Sequence, residues 1–478
     1  MEWRNIEHMF DSEFAAASDE EVVAAIADGA RQEAIGGARR LAAIAELTRR
    51  RVVDDDERVM WVFDPWDSAA AEVAAALHIG HRRAWGQMRI AQALRDRLPQ
   101  VAALYWKGAI SSRVVSAITW GTHLVEDEHA LALIDTAIND RATRWEPVSE
   151  DTLRQAVETQ VNQHDPDAVR RAQTSLRGRD FTIGAGDDDT DTTAVWGRLR
   201  ATDAAVLKKR ITAMTGEVCQ DDPRSAGERR SDAAGSWAHG NDHLACGCGS
   251  PTCRSSGQRP TSNVVIRVIT DPHTLAAAAT AAAQPGAALM MGHGAVSAPL
   301  LAQAIGNGAP VTPIRMPSGQ PEKGYRPSAE LAEFVRMRDL FCRFPGCDIS
   351  AERCDIDHAR PWPLGPTHAS NLNCKCRKHH LMKTFWTGIG GWSDIQLPDG
   401  TLIWTSPSGT RYPTYAGSRI FFPGWDVTTA ELDLPPPPQT APPTCAPMMP
   451  RRQRTRTADQ VARIKTERAL NVADPPPF

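Results

Sequence analysis

The sequence predicts a multidomain protein that is mainly α-helical and has smaller α+β parts. Its 478 residues are enough for two or three domains, because single hydrophobic cores rarely grow beyond about 250–300 residues. Apolar residues recur at helical spacing in the first third of the chain, whereas β-type runs such as N-V-V-I-R-V-I-T come later. With 42% hydrophobic and 23% charged residues, the composition is that of an ordinary soluble protein.

Residues 1–180 are predicted to form a long helical domain. Within residues 1–52, apolar positions such as Val22, Ile26 and Leu41 follow the helical period. Further helices are expected at four later positions, near residues 99–107, 111–122, 127–140 and 148–178.

The segment 68–98 predicts two helices separated by a turn near Gly80. One interpretation is a helix-turn-helix unit whose second helix presents polar side chains to DNA, namely Arg82, Arg83, Gln87 and Arg89. The other is a helical hairpin inside a bundle. Because helix-turn-helix patterns are short and degenerate, we favour the bundle hairpin.

The rest of the chain divides by composition. Residues 181–306 are predicted to form a mixed α/β region with a cysteine-containing loop. It begins with a predicted β-hairpin, F-T-I-G-A-G and T-A-V-W-G-R-L-R, with turn residues in the acidic D-D-D-T-D between them. The Gly- and Pro-rich residues 307–325 are predicted to form a linker. Residues 326–410 form a compact module. A Pro-rich tail at 434–478 is expected to be extended and disordered. Its end is basic, with seven Lys/Arg against three Asp/Glu over 451–478, and a helix is the alternative there.

The cysteines indicate a reducing compartment. Ten cysteines in a chain of this size, clustered rather than spread, favour metal ligands over disulfides. The acidic N-terminus lacks the apolar core of a signal peptide, and charged or glycine residues interrupt the alanine-rich runs before they reach membrane-spanning length. We therefore expect a cytoplasmic protein that contacts no membrane. The sequence makes no prediction of its oligomeric state.

The stretch 342–383 concentrates side chains that can bind metals: C-R-F-P-G-C, C-D-I-D-H and S-N-L-N-C-K-C-R-K-H-H-L-M-K. Cys342 and Cys347 flank a Pro-Gly turn that can direct two thiolates to one point. Cys376 lies three residues before His379 and four before His380, so helical geometry permits either histidine as its partner. A tetrahedral zinc site is therefore predicted, with carboxylate and imidazole groups left over for a second cation.

The ordered set Asp357-His358, Asn371 and His380, flanked by the cysteine pairs, resembles the HNH endonuclease motif over roughly residues 326–390. The resemblance implies a β-hairpin followed by a helix around a metal ion. It implies that His358 is the general base and that Asp357 and His380 hold the catalytic cation. Asn371 would orient the histidine by hydrogen bonding to the loop backbone.

The HNH pattern also implies how the adjacent histidines divide their roles. The Cys-x-x-His pair closes the structural zinc site, which gives Cys342, Cys347, Cys376 and His379 as ligands, and His380 turns toward the active site. Asp357 and His358 are neighbours on a strand and point to opposite faces, so we expect a local twist or bulge that lets both reach the site.

The chemistry of phosphodiester hydrolysis explains these residue types. A neutral imidazole accepts the proton of the attacking water near pH 7. A divalent cation, for which Mg²⁺, Mn²⁺, Ni²⁺ or Zn²⁺ are candidates, stabilises charge on the phosphate and the leaving oxygen. DNA is the expected partner. Three cations of the same helical segment, Arg377, Lys378 and Lys383, are predicted to contact its phosphates, although each also fits an ordinary solvated helix face.

A second group of possible ligands lies in H-L-A-C-G-C-G-S-P-T-C, which contains His243, Cys246, Cys248 and Cys253. Four ligands in eleven residues can close a second zinc site. The C-x-C spacing is tighter than in the usual zinc knuckle, and a flexible cysteine-containing loop is the alternative.

The whole chain also resembles an actinobacterial (mycobacterial-type) repeat-encoded family, in which a helical domain of undefined function precedes an HNH module. The sequence therefore predicts a metal-dependent DNA endonuclease. The alternative is a non-catalytic, zinc-stabilised DNA-binding or regulatory protein. A zinc scaffold alone does not require Asp357, His358 and Asn371, which favours the enzyme.

Overall fold

The protein is described here from a computed structural model. The described residues are 13–53, 56–169, 180–184, 193–255, 268–279, 288–291, 294–306, 310–387, 390–432 and 448–473. Within these ranges helices dominate, and the strands form small sheets with antiparallel pairing.

Helices form a bundle in the described residues up to 169. They are α1 (Asp19–Arg51), α2 (Pro65–Leu77), α3 (His81–Asp96), α4 (Pro99–Trp106), α5 (Ser112–Gly121), α6 (Glu128–Asn139) and α7 (Glu150–His164). The helix α1 packs against α2, α3 and α4, and α7 packs against α5 and α6. No helix in the described part of the chain is long and apolar enough to cross a membrane.

Local sequence signals fix where these helices begin. Ser18 and Glu21 form a reciprocal capping box at the start of α1. The side chain of Asp64 caps α2 by accepting from the N–H of Asp67, and Pro65 occupies the first helical position. The alanine-rich α2 is buried along most of its length, so it forms the centre of the bundle.

The two helices predicted on either side of Gly80 are confirmed as α2 and α3, and Gly80 caps α3. The guanidinium of Arg89 on α3 lies over the rings of Trp66 and Trp85, at 4.9 and 4.5 Å from their centroids. This side chain therefore packs inside the protein. Its position favours the bundle hairpin over a recognition helix.

The middle of the chain consists of small units. Its strands and helices are β1 (Asp180–Ile183), β2 (Val195–Arg198), α8 (Ala201–Gly216), α9 (Ala226–Ala238), β3 (Val268–Thr270), α10 (Pro272–Ala279), β4 (Ala288–Met290), β5 (Gly294–Ala295) and α11 (Ala298–Gly306). The strands β1 and β2 form the expected hairpin, and β4 lies between β3 and β5. The mixed α/β character predicted for this region is present.

The C-terminal part begins, after described residues 310–328 that contain no helix or named strand, with α12 (Ala329–Asp339). Its later elements are β6 (Cys354–His358), β7 (Leu372–Cys376), α13 (Arg377–Phe385), β8 (Ser393–Gln396), β9 (Leu402–Thr405), β10 (Arg411–Thr414) and α14 (Ser418–Phe421). The strands β6 and β7 pair antiparallel, and β9 lies between β8 and β10. The order of β6, β7 and α13 places a helix directly after a hairpin.

The helical bundle and the C-terminal part share one hydrophobic cluster. At their junction the indole of Trp386 donates to the carbonyl oxygen of Phe63 at 3.0 Å. Trp61 packs edge-on against Trp386, with ring centroids 6.1 Å apart. The bundle is therefore the platform on which the hairpin and α13 rest.

The basic end of the tail, for which a helix was the alternative to disorder, forms the helix α15 (Arg456–Ala473). Arg456 contacts Asp64 and Asp67 at 2.8 and 2.7 Å, and Arg468 pairs with Asp165 at 2.7 Å. The basic residues therefore pair with acidic groups of the bundle, which stabilises the helix. Residues 433–447, which contain the proline run, lie outside the described residues.

Candidate metal centre and active site

The structure brings together the four residues predicted to bind the structural zinc. Cys342 and Cys347 lie in the loop after α12, Cys376 ends β7, and His379 lies in the first turn of α13. Their ligand atoms all lie within 4.8 Å of one another. These four residues are called the C-terminal ligand group below.

The distances inside this group fit a tetrahedral metal site. Nδ1 of His379 is 3.4 Å from Sγ of Cys342 and 3.3 Å from Sγ of Cys376. Metal–sulfur bonds of about 2.3 Å and metal–nitrogen bonds of about 2.0 Å place such ligand atoms roughly 3.5 Å apart. The group can therefore hold one metal ion, with His379 binding through Nδ1.

The loop that carries two of the thiols is fixed by a close backbone contact. The N–H of Cys342 donates to the carbonyl oxygen of Ile349 at 2.8 Å. Gly346 has a φ of +71°, and a Cβ at this position would lie 2.5 Å from the carbonyl oxygen of Ile79. Only glycine suits that conformation and that approach, so the ligand loop lies directly against the turn between α2 and α3.

Burial makes any unbalanced charge in the C-terminal ligand group costly. Cys342 is 4% exposed and His379 is 1% exposed. Burial lowers the pKa of His379, but the sulfurs of Cys342 and Cys376 raise it to about 9. Burial raises the pKa of Cys342, yet the neighbouring thiols and His379 bring it well below its ordinary value. Thiolates in such a site require a cation, which a divalent metal can provide.

Two further cysteines lie nearby but outside the ligand group. Sγ of Cys354 donates to the carbonyl oxygen of Ser350 at 3.4 Å, and Sγ of Cys374 donates to that of Val335 at 3.9 Å. Both thiols are buried and free. They therefore pack as buried cysteines.

A second polar group lies on the other side of the hairpin's ladder, around His380. Nε2 of His380 is 3.5 Å from Oδ1 of Asp357, and its Nδ1 is 2.8 Å from Oδ2 of Asp355. Asp355 and Asp357 are two residues apart on β6 and therefore share a face. The structure thus brings together Asp357 and His380, the two residues predicted to hold the catalytic cation.

Asp355 is a member of this group that the sequence interpretation missed. Metal-binding histidines commonly donate their second ring N–H to a carboxylate, which fixes the tautomer. Asp355 is placed to do this for His380, with Nε2 facing Asp357. The alternation D-I-D on one strand was the signal that could have revealed it. The hydrogen bond between His380 and Asp357 raises the pKa of His380 most, and the hydrogen bond to Asp355 raises it further.

Two lysines hold the other oxygen of Asp357. The ammonium groups of Lys375 and Lys383 lie 3.0 and 2.7 Å from Oδ2 of Asp357, and Lys375 also pairs with Asp394 at 2.9 Å. Burial raises the pKa of Asp357, but the two lysines and His380 bring it well below its usual range. Asp357 is therefore ionised, with Oδ1 directed toward His380.

These contacts correct the prediction made for Lys383. Its side chain is 9% exposed, and its ammonium also donates to the carbonyl oxygen of His358. Lys383 therefore lies inside the polar group and not on a surface that meets phosphates. Arg377 is exposed, 3.6 Å from Asp355, and Lys378 reaches across to Asp67 of the bundle at 3.1 Å.

His358 faces away from His380. Its Nε2 is 2.9 Å from Oγ1 of Thr367, and its ring stacks on Tyr325 with centroids 5.3 Å apart. The ladder between β6 and β7 keeps one-to-one register through His358. The bulge expected from the sequence is therefore absent from this hairpin, and the side chains of Asp357 and His358 keep opposite directions.

The environment of His358 leaves one ring nitrogen available. Nδ1 has no hydrogen-bond partner among the described residues, and it is not one of the buried unpaired atoms. Burial lowers the pKa of His358, although Asp357 acts in the opposite direction. A neutral imidazole is thus favoured near pH 7.

Asn371 fixes the loop that follows His358. Its Oδ1 accepts from the N–H of Arg360 at 2.7 Å, and its Nδ2 donates to the carbonyl oxygens of Arg360 and Pro366 at 3.0 and 2.9 Å. A Cβ at Gly365 would lie 2.6 Å from Nδ2, so glycine is needed beneath the amide. Asn371 therefore makes the loop contacts that the HNH resemblance implies.

The second predicted zinc set requires a correction. Cys246, Cys248 and Cys253 meet Cys219, and the four ligand atoms lie within 4.8 Å of one another. His243 instead places Nδ1 2.7 Å from Oε2 of Glu217, with its side chain 62% exposed. In the sequence, α9 separates Cys219 from the other three cysteines, so local spacing gave no signal for it. The four cysteines are called the middle ligand group below.

Fold and side chains together define a protein with a helical bundle and two groups of metal-competent residues. The chain belongs to the family defined by the domain of unknown function DUF222, which matches residues 28–339. That match ends before Cys342. It covers the middle ligand group and leaves the C-terminal one outside.

Similar proteins occur in Mycobacterium tuberculosis. The uncharacterized protein Rv3776 of strain ATCC 25618 / H37Rv is 52% identical over 96% of this chain and 91% of its own length. The uncharacterized protein Rv2100 of the same strain is 50% identical over 98% of this chain and 92% of its own. No solved structure is significantly similar to this chain.

Proposed function

We propose that this protein is a metal-dependent endonuclease of the HNH type that hydrolyses phosphodiester bonds in DNA. The observation that carries the proposal is the arrangement of Asp355, His380 and Asp357 beside a hairpin and helix that also carry the C-terminal ligand group. A zinc-binding scaffold has no use for a histidine held between two carboxylates.

Asp357 and His380 are the residues that would hold the catalytic cation. Asp355 accepts from Nδ1 of His380, so Nε2 faces Oδ1 of Asp357 and, once it has lost its proton, would bind a cation together with that oxygen. The carboxylates of Asp357 and Asp394 contact the ammonium groups of Lys375 and Lys383, whereas Asp355 contacts His380 and Arg377. A bound divalent cation would stabilise negative charge on the phosphate and on the leaving oxygen.

His358 supplies the base. Thr367 holds Nε2, Tyr325 stacks on the ring, and Asn371 fixes the loop that follows. Nδ1 is then the atom that accepts the proton of the attacking water. The lowered pKa of His358, caused by burial, keeps the imidazole in the neutral form that this role requires.

The C-terminal ligand group would bind a structural zinc. Three thiolates and one imidazole are a common ligand set for such sites. The ion would join the loop after α12 to the start of α13 and so fix the helix that carries His380. Arg377, whose side chain is 69% exposed, is the more exposed of the two exposed cations on this helix and would contact DNA phosphates.

Nicking of supercoiled plasmid by the full-length chain tests the proposal, with Mg²⁺, Mn²⁺ and Ni²⁺ supplied separately. We expect relaxed circles with at least one cation. His358→Ala should cut about 10²–10⁴-fold more slowly, the usual loss when a general base is removed. His129→Ala, at an exposed histidine on α6, is the matched control and should cut normally. Cutting by His358→Ala at the parent rate would contradict the assignment.

The non-catalytic alternative has two observations in its favour. Lys375 and Lys383 already occupy Oδ2 of Asp357, and the unbulged hairpin directs His358 away from His380. A chain that retards DNA in a gel and cuts with none of the three cations would support a zinc-stabilised DNA-binding protein.

A further inference from the structure

Four thiols converge in the middle of the chain. Cys219 follows the end of α8, whereas Cys246, Cys248 and Cys253 lie on the loop after α9. Sγ of Cys219 is 3.4 Å from Sγ of Cys246, too far for a disulfide, whose sulfurs lie about 2.05 Å apart. Tetrahedral thiolates bound to zinc at about 2.3 Å lie roughly 3.8 Å apart, so the spacing fits a bound metal better than a covalent bond.

Polar contacts hold the two cysteine-bearing segments together without using any thiol. Oδ2 of Asp222 accepts from the N–H of Gly247 at 2.8 Å and from Arg224 at 2.7 Å. Arg224 also donates to the carbonyl oxygen of Ala245 at 2.7 Å. The hydroxyl of Ser255 donates to the carbonyl oxygen of Glu217, also at 2.7 Å. The cysteines are therefore brought together by a built scaffold.

The hydrophobic core beside these cysteines is very small. Its buried members are Met214, Ala233 and Leu244. Within α8, Met214 is the one buried side chain among the described residues. A core of this size cannot order two loops unaided, and small units of this kind commonly depend on a structural metal.

We propose that Cys219, Cys246, Cys248 and Cys253 bind one zinc ion as four thiolates and that this ion stabilises the unit formed by α8, α9 and the loop after α9. Binding releases the thiol protons to solvent. Tetrahedral sulfur sites take zinc or iron. We choose zinc because it binds four thiolates and has no redox chemistry, so the site needs no electron-transfer partner. This site is independent of the proposed nuclease function.

Metal content of the purified full-length chain tests the proposal. We expect about two zinc ions per chain, one in each ligand group, since structural zinc sites take one ion for four ligands. Cys219→Ser should retain about one, and Cys376→Ser should also retain about one, lost from the other group. His243→Ala, at a histidine whose Nδ1 contacts Glu217 and not the cysteines, is the control and should retain two.

A direct measurement keeps the test valid even if a cysteine variant folds poorly. The parent chain loaded with Co²⁺ should show thiolate-to-cobalt absorption from two sites, and Cys219→Ser should lose the part that belongs to the four-sulfur site. A parent chain with one zinc that Cys376→Ser removes entirely would overturn the second site. Loss of a zinc from His243→Ala, iron in place of zinc, or a Cys219–Cys246 disulfide in the parent would overturn it as well.

Discussion

The two ligand groups offer similar chemistry in opposite surroundings. The C-terminal group lies inside the hydrophobic cluster that also contains the bundle, and Cys342, Cys376 and His379 are buried. The cysteines of the middle group are all partly exposed beside a core of three buried side chains. In the first region packing already fixes the ligands, whereas in the second the proposed metal would take the place of a large hydrophobic core. Metal dependence should therefore differ between them.

The largest expected effect concerns the buried charges that support each group. Oδ1 of Asp339 is 2.8 Å from Arg338 and 2.9 Å from Arg343, and its Oδ2 accepts from the N–H of Cys374 at 2.7 Å. All three charged side chains are buried. Asp339→Ala leaves two buried guanidinium groups without their carboxylate and should cost about 3–5 kcal/mol of unfolding free energy. Denaturant titration of the full chain measures this.

The matched change in the middle region is Asp222→Ala. It removes the contact to Gly247 but lies outside the shared hydrophobic cluster. We expect faster amide exchange around residues 245–248 and an unchanged denaturation midpoint of the bundle. Equal global destabilisation by both variants would show that the two regions do not differ as described.

A second prediction uses the contact between the bundle and the C-terminal ligand group. The rings of His81 and His379 are 5.8 Å apart. Burial lowers the pKa of His81 to about 4, although its hydrogen bond to Asp67 acts in the opposite direction. The folded state thus keeps His81 neutral, while the unfolded chain takes up a proton near pH 6.5.

The sign of the pH effect follows. Stability from the neutral His81 is fully present above pH 6.5 and falls as the pH drops toward 4, by at most about 3 kcal/mol. In His81→Gln the loss of stability between pH 6.5 and 4 should be smaller by that amount. Unfolding free energies of both chains across this range measure the difference, and parallel curves would refute it. The middle ligand group consists of four cysteines, so this comparison concerns the C-terminal group.

The sequence predicted the C-terminal ligand group because its ligands come in two local pairs, at a turn and at a helix start. Cys219 was missed because it reaches its partners only through the packing of α8 on α9. The hairpin at β1 and β2 followed from alternation and turn residues. The roles of Lys375 and Lys383 could not be predicted, since they depend on how β7, α13 and β8 meet.

The tail shows the same limit. Its proline content predicted an extended, disordered segment, with a helix as the alternative at the basic end. The ion pairs that hold α15 could not be predicted, because they join residues more than three hundred positions apart, as in Arg456 with Asp67 and Arg468 with Asp165. Composition describes what a segment does alone. It does not describe a partner that the rest of the fold provides.

The smallest expected effect tests whether this tail supports the junction beside the C-terminal group. Asp67 is contacted by Arg456 at 2.7 Å, Lys378 and His81. Arg456→Met keeps much of the side-chain length and removes the charge.

Because Lys378 and His81 still satisfy Asp67, we expect Arg456→Met to cost about 1–2 kcal/mol and to speed amide exchange in α15. Arg463→Met, at an arginine that is 65% exposed and pairs with Glu467 on the same helix at 3.8 Å, is the control and should cost less than about 0.5 kcal/mol. Zinc in both ligand groups should be retained by either variant, because the tail supplies none of the ligands. Equal costs for the two arginines would mean that α15 is held by its apolar contacts and that the ion pairs add nothing.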